Sequence, residues 1–145
     1  MSKQKEIYDP IRQCWVVATP EEIVRQAWIL RMVRELKFPQ ELLAVERDLA
    51  ALYLSEEKLP NRRIDLLAFV KTGEKVAPLL LVECKKGELT QAAMDQVIAY
   101  NHYVRAPYVA IVNPSGIRFR YHHKGGAYEI GNLPSYPELI GALHG

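Results

Sequence analysis

The chain has 145 residues, of which 49% are hydrophobic and 25% are charged, and its formal net charge is +2. This length suits one domain with its own core, and this balance is that of an ordinary globular protein. The small net charge does not by itself indicate nucleic-acid binding, although local clusters of basic residues remain informative. Two cysteines, Cys14 and Cys84, are too few for a disulfide framework.

The N-terminus is polar and lacks the apolar segment of a signal peptide. No apolar run reaches the length of a membrane span. We therefore expect a single domain over residues 1–145, located in the cytoplasm, with reduced thiols and no membrane partner.

The first predicted helix begins after Thr19. Thr19 is a suitable N-cap, Pro20 suits the first helical position, and Glu22 follows three residues after the cap. We expect the helix to run to about Lys37 and the preceding residues 1–18 to form an irregular lead-in or a short edge strand. The predicted buried face comprises Ile23, Ala27 and Leu30, with Ile29, Val33 and Leu36 beside them. Glu22 heads a row of residues that also points along the core-facing side.

Strands are predicted next. Residues 42–46 are predicted to form the first strand, and the pattern of residues 48–57 fits a strand or a helix. Residues 64–70 and 79–84 are apolar runs separated by the turn-forming segment 71–75, which predicts a hairpin. Antiparallel pairing in that hairpin would bring Asp65 and Glu83 side by side.

The second half of the chain predicts a helix, a buried strand and a small tail. The segments are a helix over 90–104, a strand over 108–112, a hairpin of 117–121 and 127–130 with a turn at 122–126, and a closing helix over 137–143. The helix between two apolar strands predicts a parallel crossover. The fold class is therefore mixed α/β, an α+β arrangement with a mixed sheet.

The most informative stretch is the apolar strand that ends in Glu83 and Lys85. Side chains alternate along a strand, so Glu83 and Lys85 share a face with Leu79 and Leu81, while Cys84 points the other way. Burial of such a charge pair is unfavourable unless a metal, a substrate or a partner charge compensates it. This strand is thus the best lead to a functional site.

Asp65, Glu83 and Lys85 together fit one kind of chemistry. Two carboxylates about 4 Å apart repel by roughly 4 kcal/mol at an effective dielectric constant near 20, and a cation between them removes that repulsion. Oxygen ligands suit Mg²⁺ or Mn²⁺. A lysine beside the metal can orient or deprotonate water, or stabilise developing negative charge. This set predicts metal-dependent hydrolysis of a phosphodiester.

The order Ile64-Asp65, Glu83-Cys84-Lys85 and Gln96 to Tyr100 resembles the D…ExK…QxxxY pattern of PD-(D/E)xK nucleases. It is most similar to the N-terminal nuclease domain of type I restriction enzyme R subunits. One departure is Ile64, where the name of the motif has proline. The resemblance implies a restriction-endonuclease-like αβββαβ core over about residues 19–113, with a small C-terminal hairpin and helix as an extension.

The resemblance also implies roles for the residues of the motif. Asp65 and Glu83 would be metal ligands for Mg²⁺ (or Mn²⁺), and Lys85 would be the catalytic lysine. In this family an acidic residue of the first helix completes the site, and here it falls on Glu22. The same glutamate would also suit a capping box with Thr19, and the sequence leaves both readings open.

Several residues are candidates for contact with DNA. Gln96 and Tyr100 match QxxxY, although a polar helix position and a core aromatic residue would look the same. Arg62 and Arg63 lie where a phosphate backbone would approach, or are solvated charges. A basic rim would add Lys86, Arg118, Arg120 and Lys124.

Four further residues have less specific interpretations. Glu46 ends an apolar strand and would be a surface residue or an additional ligand. The pair His122-His123 reads as part of a turn, and Cys84 as a packed core thiol that points away from the site.

The sequence therefore predicts a metal-dependent DNA endonuclease. The alternative is a catalytically inert DNA-binding or assembly module of the same fold in a restriction or repair complex, and a substrate of RNA or branched DNA stays open. Expected partners are DNA and either a second copy, as a homodimer, or a larger restriction or repair complex. The tail from Ile117 to Gly145 is the predicted pairing surface.

Overall fold

The computed structural model describes residues 4–48 and 63–144. Within them the strands are β1 Glu6–Asp9, β2 Cys14–Val17, β3 Leu43–Asp48, β4 Arg63–Thr72, β5 Lys75–Cys84, β6 Tyr108–Val112, β7 Ile117–His123 and β8 Gly126–Ile130. The helices are α1 Pro20–Arg34, α2 Gln91–Val104 and α3 Tyr136–His144, with a short 3₁₀ turn at Gln40–Leu42. Arg62 and the ambiguous segment from 49 to 57 lie outside the described residues.

The main sheet has the order β3-β4-β5-β6-β7-β8. Strands β5 and β6 are parallel, and every other neighbouring pair in this sheet is antiparallel. The predicted mixed α/β class is confirmed, and so are the β4–β5 hairpin, the parallel crossover through α2 and the C-terminal hairpin and helix. The N-terminal residues differ from the prediction, because β1 and β2 pair with each other as a separate two-stranded sheet.

Helix α1 begins as predicted and ends earlier. The hydroxyl of Thr19 accepts a hydrogen bond from the backbone N–H of Glu22 at 3.2 Å, and Pro20 is the first helical residue. The helix ends at Arg34, three residues before the predicted Lys37, which adopts a left-handed conformation with φ of +61°. The chain therefore turns out of the helix before the apolar periodicity is exhausted.

The predicted buried face of α1 is only partly correct, since Ile29 is buried and Val33 and Leu36 are half-buried against the core. Ile23 and Leu30 are 51% and 52% exposed, and Ala27 is exposed as well. The buried residues of the helix are Glu22, Val24, Arg25, Gln26, Trp28, Ile29 and Met32. Apolar residues occur around much of this helix, so periodicity alone did not determine which side packs on the sheet.

Strand β5 lies between β4 and β6, and helices cover the sheet on both sides, which explains why both of its faces are apolar. One face packs on α1 and α3, and the other on α2. Residues Leu80, Val82 and Cys84 face α1, whereas Leu81 faces α2. Leu79 was expected beside Leu81 and instead packs with the α1 cluster, because a register shift interrupts the β4–β5 pairing between Ala68 and Phe69.

Helix α2 is bounded by local signals. The Thr90 hydroxyl caps its start by accepting from the N–H of Ala93 at 3.1 Å. At its end Arg105 is left-handed with φ of +61°, and the Asn101 amide holds both polar groups of the Ala106 backbone at 2.9 Å. This closure directs the chain back into β6.

No helix in the described ranges is long and apolar enough to cross a membrane.

Candidate active site

Asp65 lies at a break in the sheet. The paired residues of β4 and β5 end at Leu66 and Val82, and beyond them Oδ2 of Asp65 accepts a hydrogen bond from the backbone N–H of Cys84 at 2.9 Å. The alternation of β4 also fails here, since Ile64 packs on the α2 face and Leu66 on the α1 face. The carboxylate of Asp65 therefore occupies the place of a ladder hydrogen bond where the two strands separate.

The neighbouring strand β3 is irregular at the same level. Glu46 has a left-handed backbone with φ of +52°, between the pairs Val45–Leu66 and Arg47–Ile64. A non-glycine residue in this conformation is uncommon and often marks a functional or strained position. The irregularity turns the side chain of Glu46 toward α1, where it pairs with Arg25.

Glu83 is buried in the centre of the sheet. It follows Val82, whose partner is Leu66, and pairs with Ile111 of β6 on the other side. The recorded β4–β5 pairing ends one residue short of Asp65 and Glu83, and the contact between these strand ends is the Cys84–Asp65 hydrogen bond.

Lys85 is half-buried directly beyond β5. Its backbone N–H donates to the carbonyl oxygen of Val112 at 2.8 Å, which extends the parallel pairing with β6 past Cys84. The next residue, Lys86, is exposed. The backbone of Lys85 is thus held by the sheet while its side chain reaches the surface.

The residue that sequence reasoning missed is Arg25 of α1. Its Nη1 lies 2.7 Å from Oε1 of Glu22, and its Nη2 lies 2.5 Å from Oε1 of Glu46 and 3.4 Å from Oδ1 of Asp65. Only 5% of its side chain is exposed. One buried guanidinium therefore joins three carboxylates that come from α1, β3 and β4. An arginine three residues after an acidic residue on a helix was the available signal.

Glu22 belongs to the same network. Its Oε1 accepts from Arg12 at 2.5 Å and from Arg25, and its Oε2 accepts from the amide of Gln26 at 3.2 Å. The backbone N–H of Thr19 donates to the carbonyl of Val17, so the reciprocal bond of a capping box is not formed. Burial by itself would raise the pKa of Glu22, but the hydrogen bonds from Arg12 and Gln26 and the charge of Arg25 outweigh it and lower that pKa.

Arg12 connects this network to the N-terminal hairpin. Its guanidinium also pairs with Asp9, which is fully buried and accepts the backbone N–H groups of Ile11 and Arg12. Burial opposes the ionised form of Asp9, but the hydrogen bond from Arg12 and the two backbone bonds prevail and lower its pKa. The signal in the sequence was Asp9 before Pro10, a typical turn pair.

Cys84 is confirmed as a packed core thiol. It is buried in the α1-face cluster. Burial, reinforced by the nearby charge of Asp65, raises the pKa of its thiol well above the usual range. The side chain is therefore a protonated apolar group, and the hydrogen bond of this residue to Asp65 comes from its backbone N–H.

The predicted DNA contacts fall into different environments. Gln96 is exposed on α2, whereas Tyr100, one turn later, is buried in the α2-face cluster. Arg63 is exposed and pairs with Asp48 at 3.3 Å and with Glu46 at 3.9 Å. The position of Arg62 lies outside the described residues.

Two members of the wider basic rim are placed differently from one another. Arg118 is held by Glu129, by Gln91 and by the carbonyl of Leu89, so it has a structural role at the start of β7. Lys124 is exposed in the turn between β7 and β8 beside the exposed residues His122 and His123.

The carboxylate oxygens of the site suit a hard divalent metal, but few carboxylates are available. Among the described residues no group of three or more histidine, cysteine, aspartate or glutamate side chains is close enough to hold a metal ion. Mg²⁺ commonly binds through one or two carboxylates and completes its shell with water and substrate phosphates. Asp65 and Glu83 fit that mode in chemical type, and the neighbour of Asp65 on the α1 side is the guanidinium of Arg25.

Comparison with known proteins places this chain in a family. A search of curated proteins and a search of solved structures each returned no match. The family model for the N terminus of the type I restriction enzyme R protein (HSDR_N) matches residues 20–134, a range that includes both strands of the site. The resemblance seen in the D…ExK…QxxxY pattern is confirmed at this level, and a PD-(D/E)xK nuclease is consistent with the family. The chain belongs to the family of type I restriction enzyme R protein N-terminal domains.

Proposed function

We propose that this chain hydrolyses phosphodiester bonds of DNA with Mg²⁺ (or Mn²⁺) as the cofactor. The observation that carries this proposal is the bond from the Cys84 N–H to Asp65, which ties the first carboxylate of the motif to the strand end that bears Glu83 and Lys85. Membership of a restriction-enzyme family supports a nuclease role.

In this proposal Asp65 and Glu83 hold the metal. When bound, the metal polarises the scissile phosphate and activates water. Lys85 lies two residues after Glu83, and the hydrogen bond from its backbone N–H to Val112 holds its backbone at the same strand end. There Lys85 orients the attacking water and stabilises the negative charge that develops on the phosphate.

The exposed residues around the motif serve DNA binding. Gln96, Arg63 and Lys86 are exposed and can reach a phosphate backbone, and we assign the same role to Arg62. Tyr100 is buried against the sheet, so it supports the position of α2 and of Gln96. We further propose that the chain acts in the cytoplasm within a larger restriction complex, with self-association as a homodimer as the alternative assembly.

The test is cleavage of plasmid DNA by purified wild type, Asp65→Asn and Lys85→Ala in the presence of Mg²⁺ or Mn²⁺. We expect both variants to lose at least about a hundredfold in cleavage rate, since each removes a group that acts directly in the reaction. The matched control is Lys75→Ala, an exposed lysine at the start of β5, which should cleave as wild type does. Unchanged cleavage by Asp65→Asn and Lys85→Ala contradicts the proposal.

The contact of Arg25 with Asp65 favours a second candidate, a module of the same fold that binds DNA or a complex without cleaving. A guanidinium already stands 3.4 Å from the proposed metal ligand. The two candidates differ in whether wild-type protein binds Mn²⁺ at millimolar concentration, which calorimetry measures directly.

A further inference from the structure

Arg25 is placed to balance charge at the candidate site. The guanidinium is buried, and an uncompensated buried cation would be unfavourable, so its three carboxylate partners account for its presence. Its Nε has no hydrogen-bond partner among the described residues, and its two terminal nitrogens make all three contacts to the carboxylates. The planar fork of arginine suits this bridging role, which a lysine ammonium fills poorly.

The three contacts are unequal. The distances to Glu22 and Glu46 are 2.7 and 2.5 Å, whereas the distance to Asp65 is 3.4 Å. The bond to Asp65 is therefore the weakest of the three. Asp65 also accepts the Cys84 N–H through its other oxygen, so its position does not depend on Arg25 alone. The contact that a metal ion would have to replace is thus the one that is easiest to release.

We propose that Arg25 is a positioning residue that holds Glu22, Glu46 and Asp65 together in the metal-free protein and competes with a divalent cation for Asp65. The inference rests on the proposed function, because it takes Asp65 as a metal ligand. It assigns Glu22 a purpose within the site, as the anchor of Arg25 on α1. It also predicts that the positive charge of Arg25 weakens metal affinity, since like charges at this separation repel strongly in a partly buried site.

The test is calorimetric titration of Mn²⁺ into wild type, Arg25→Gln and Arg25→Lys, without DNA. We expect Arg25→Gln to bind at least about tenfold more tightly than wild type. Arg25→Lys keeps the charge but loses the fork, so its gain in affinity should be smaller. The matched control is Arg34→Gln, which removes an exposed positive charge from the last turn of the same helix and should leave the affinity unchanged. Circular dichroism establishes that each variant is folded.

The outcomes separate this inference from the proposed function. If wild type binds Mn²⁺ and Arg25→Gln binds equally well, the inference is overturned and the nuclease proposal stands. If only Arg25→Gln binds, the inference is supported and metal-dependent cleavage by this chain alone is contradicted. If neither binds, both fail. Where Arg25→Gln does not fold, Arg25→Lys carries the test, and an affinity equal to that of wild type overturns the inference.

Discussion

The backbone N–H of Cys84 donates a hydrogen bond to the carboxylate of Asp65, and the distance is 2.9 Å. This bond joins the isolated aspartate of one strand to the middle residue of Glu83-Cys84-Lys85 on the next. Because the donor belongs to the backbone, the contact does not require a cysteine. The backbone of Cys84 therefore contributes to the site, whereas its side chain packs in the core.

The two cysteines should differ sharply in reactivity. Cys14 is exposed, whereas Cys84 is buried and the pKa of its thiol is raised by burial and by the charge of Asp65. The thiolate is the reactive form, so Cys84 should resist alkylation in the native protein. Iodoacetamide treatment followed by mass spectrometry should find Cys14 modified at pH 8 and Cys84 modified only after denaturation. Equal labelling of both in native protein would show that the core around Cys84 is open.

The exposed side of α1 can be tested with two adjacent residues. Ile29 is 2% exposed and Leu30 is 52% exposed. We expect Ile29→Ala to lower the free energy of unfolding by about 2–5 kcal/mol, because it leaves a cavity in the core. Leu30→Ala should change it by less than about 1 kcal/mol, since little buried contact is lost. Urea denaturation measures both, and a larger loss of stability for Leu30→Ala than for Ile29→Ala would contradict the burial of Ile29 and the exposure of Leu30.

Acid stability should depend on Glu22. Its folded-state pKa is lowered, so its contribution to stability is complete above the unfolded pKa, near about pH 4, and is lost as pH falls through the lower folded value. We expect Glu22→Gln to lower the free energy of unfolding by about 2–4 kcal/mol at pH 7. The substitution leaves Arg12 and Arg25 with one fewer charged partner.

The comparison is made by urea denaturation from pH 7 to pH 2. Below about pH 4, the free energy of unfolding of Glu22→Gln should change less with pH than that of wild type. Glu35→Gln is the control, since Glu35 is exposed and its pair with Arg31, at 3.4 Å, should contribute less than about 1 kcal/mol. Parallel pH profiles for wild type and Glu22→Gln would contradict the role of this carboxylate in the network.

Gln96 and Tyr100 should separate into a functional and a structural residue. Gln96 is exposed and Tyr100 is buried. Gln96→Ala should reduce DNA affinity or cleavage by about tenfold, which is the loss expected for one or two hydrogen bonds. Its free energy of unfolding should stay within about 0.5 kcal/mol of wild type. Tyr100→Ala should destabilise the fold by about 3–5 kcal/mol. Fluorescence anisotropy and urea denaturation provide the two measurements, and unchanged DNA binding and cleavage in Gln96→Ala would remove it from the site.

Local signals predicted the elements that carry the motif. The turn-forming segment Lys71–Lys75 between two apolar runs predicted the β4–β5 hairpin, which the structure shows from Leu66–Val82 to Thr72–Lys75. Thr19 and Thr90 marked the starts of α1 and α2 correctly, because an N-cap acts within one helical turn.

The sequence by itself determined the order of the described elements from α1 onward, the fold class and the residues of the D…ExK…QxxxY pattern, because all of these follow from short-range spacing. Only the tertiary structure decided which side of α1 is buried, that Asp65 lies at a break in the sheet, and that Arg25 joins Glu22, Glu46 and Asp65. Arg25 and Asp65 are 40 residues apart in the chain. Such ion pairs depend on how helix and sheet pack together, and no local pattern of residues encodes that packing.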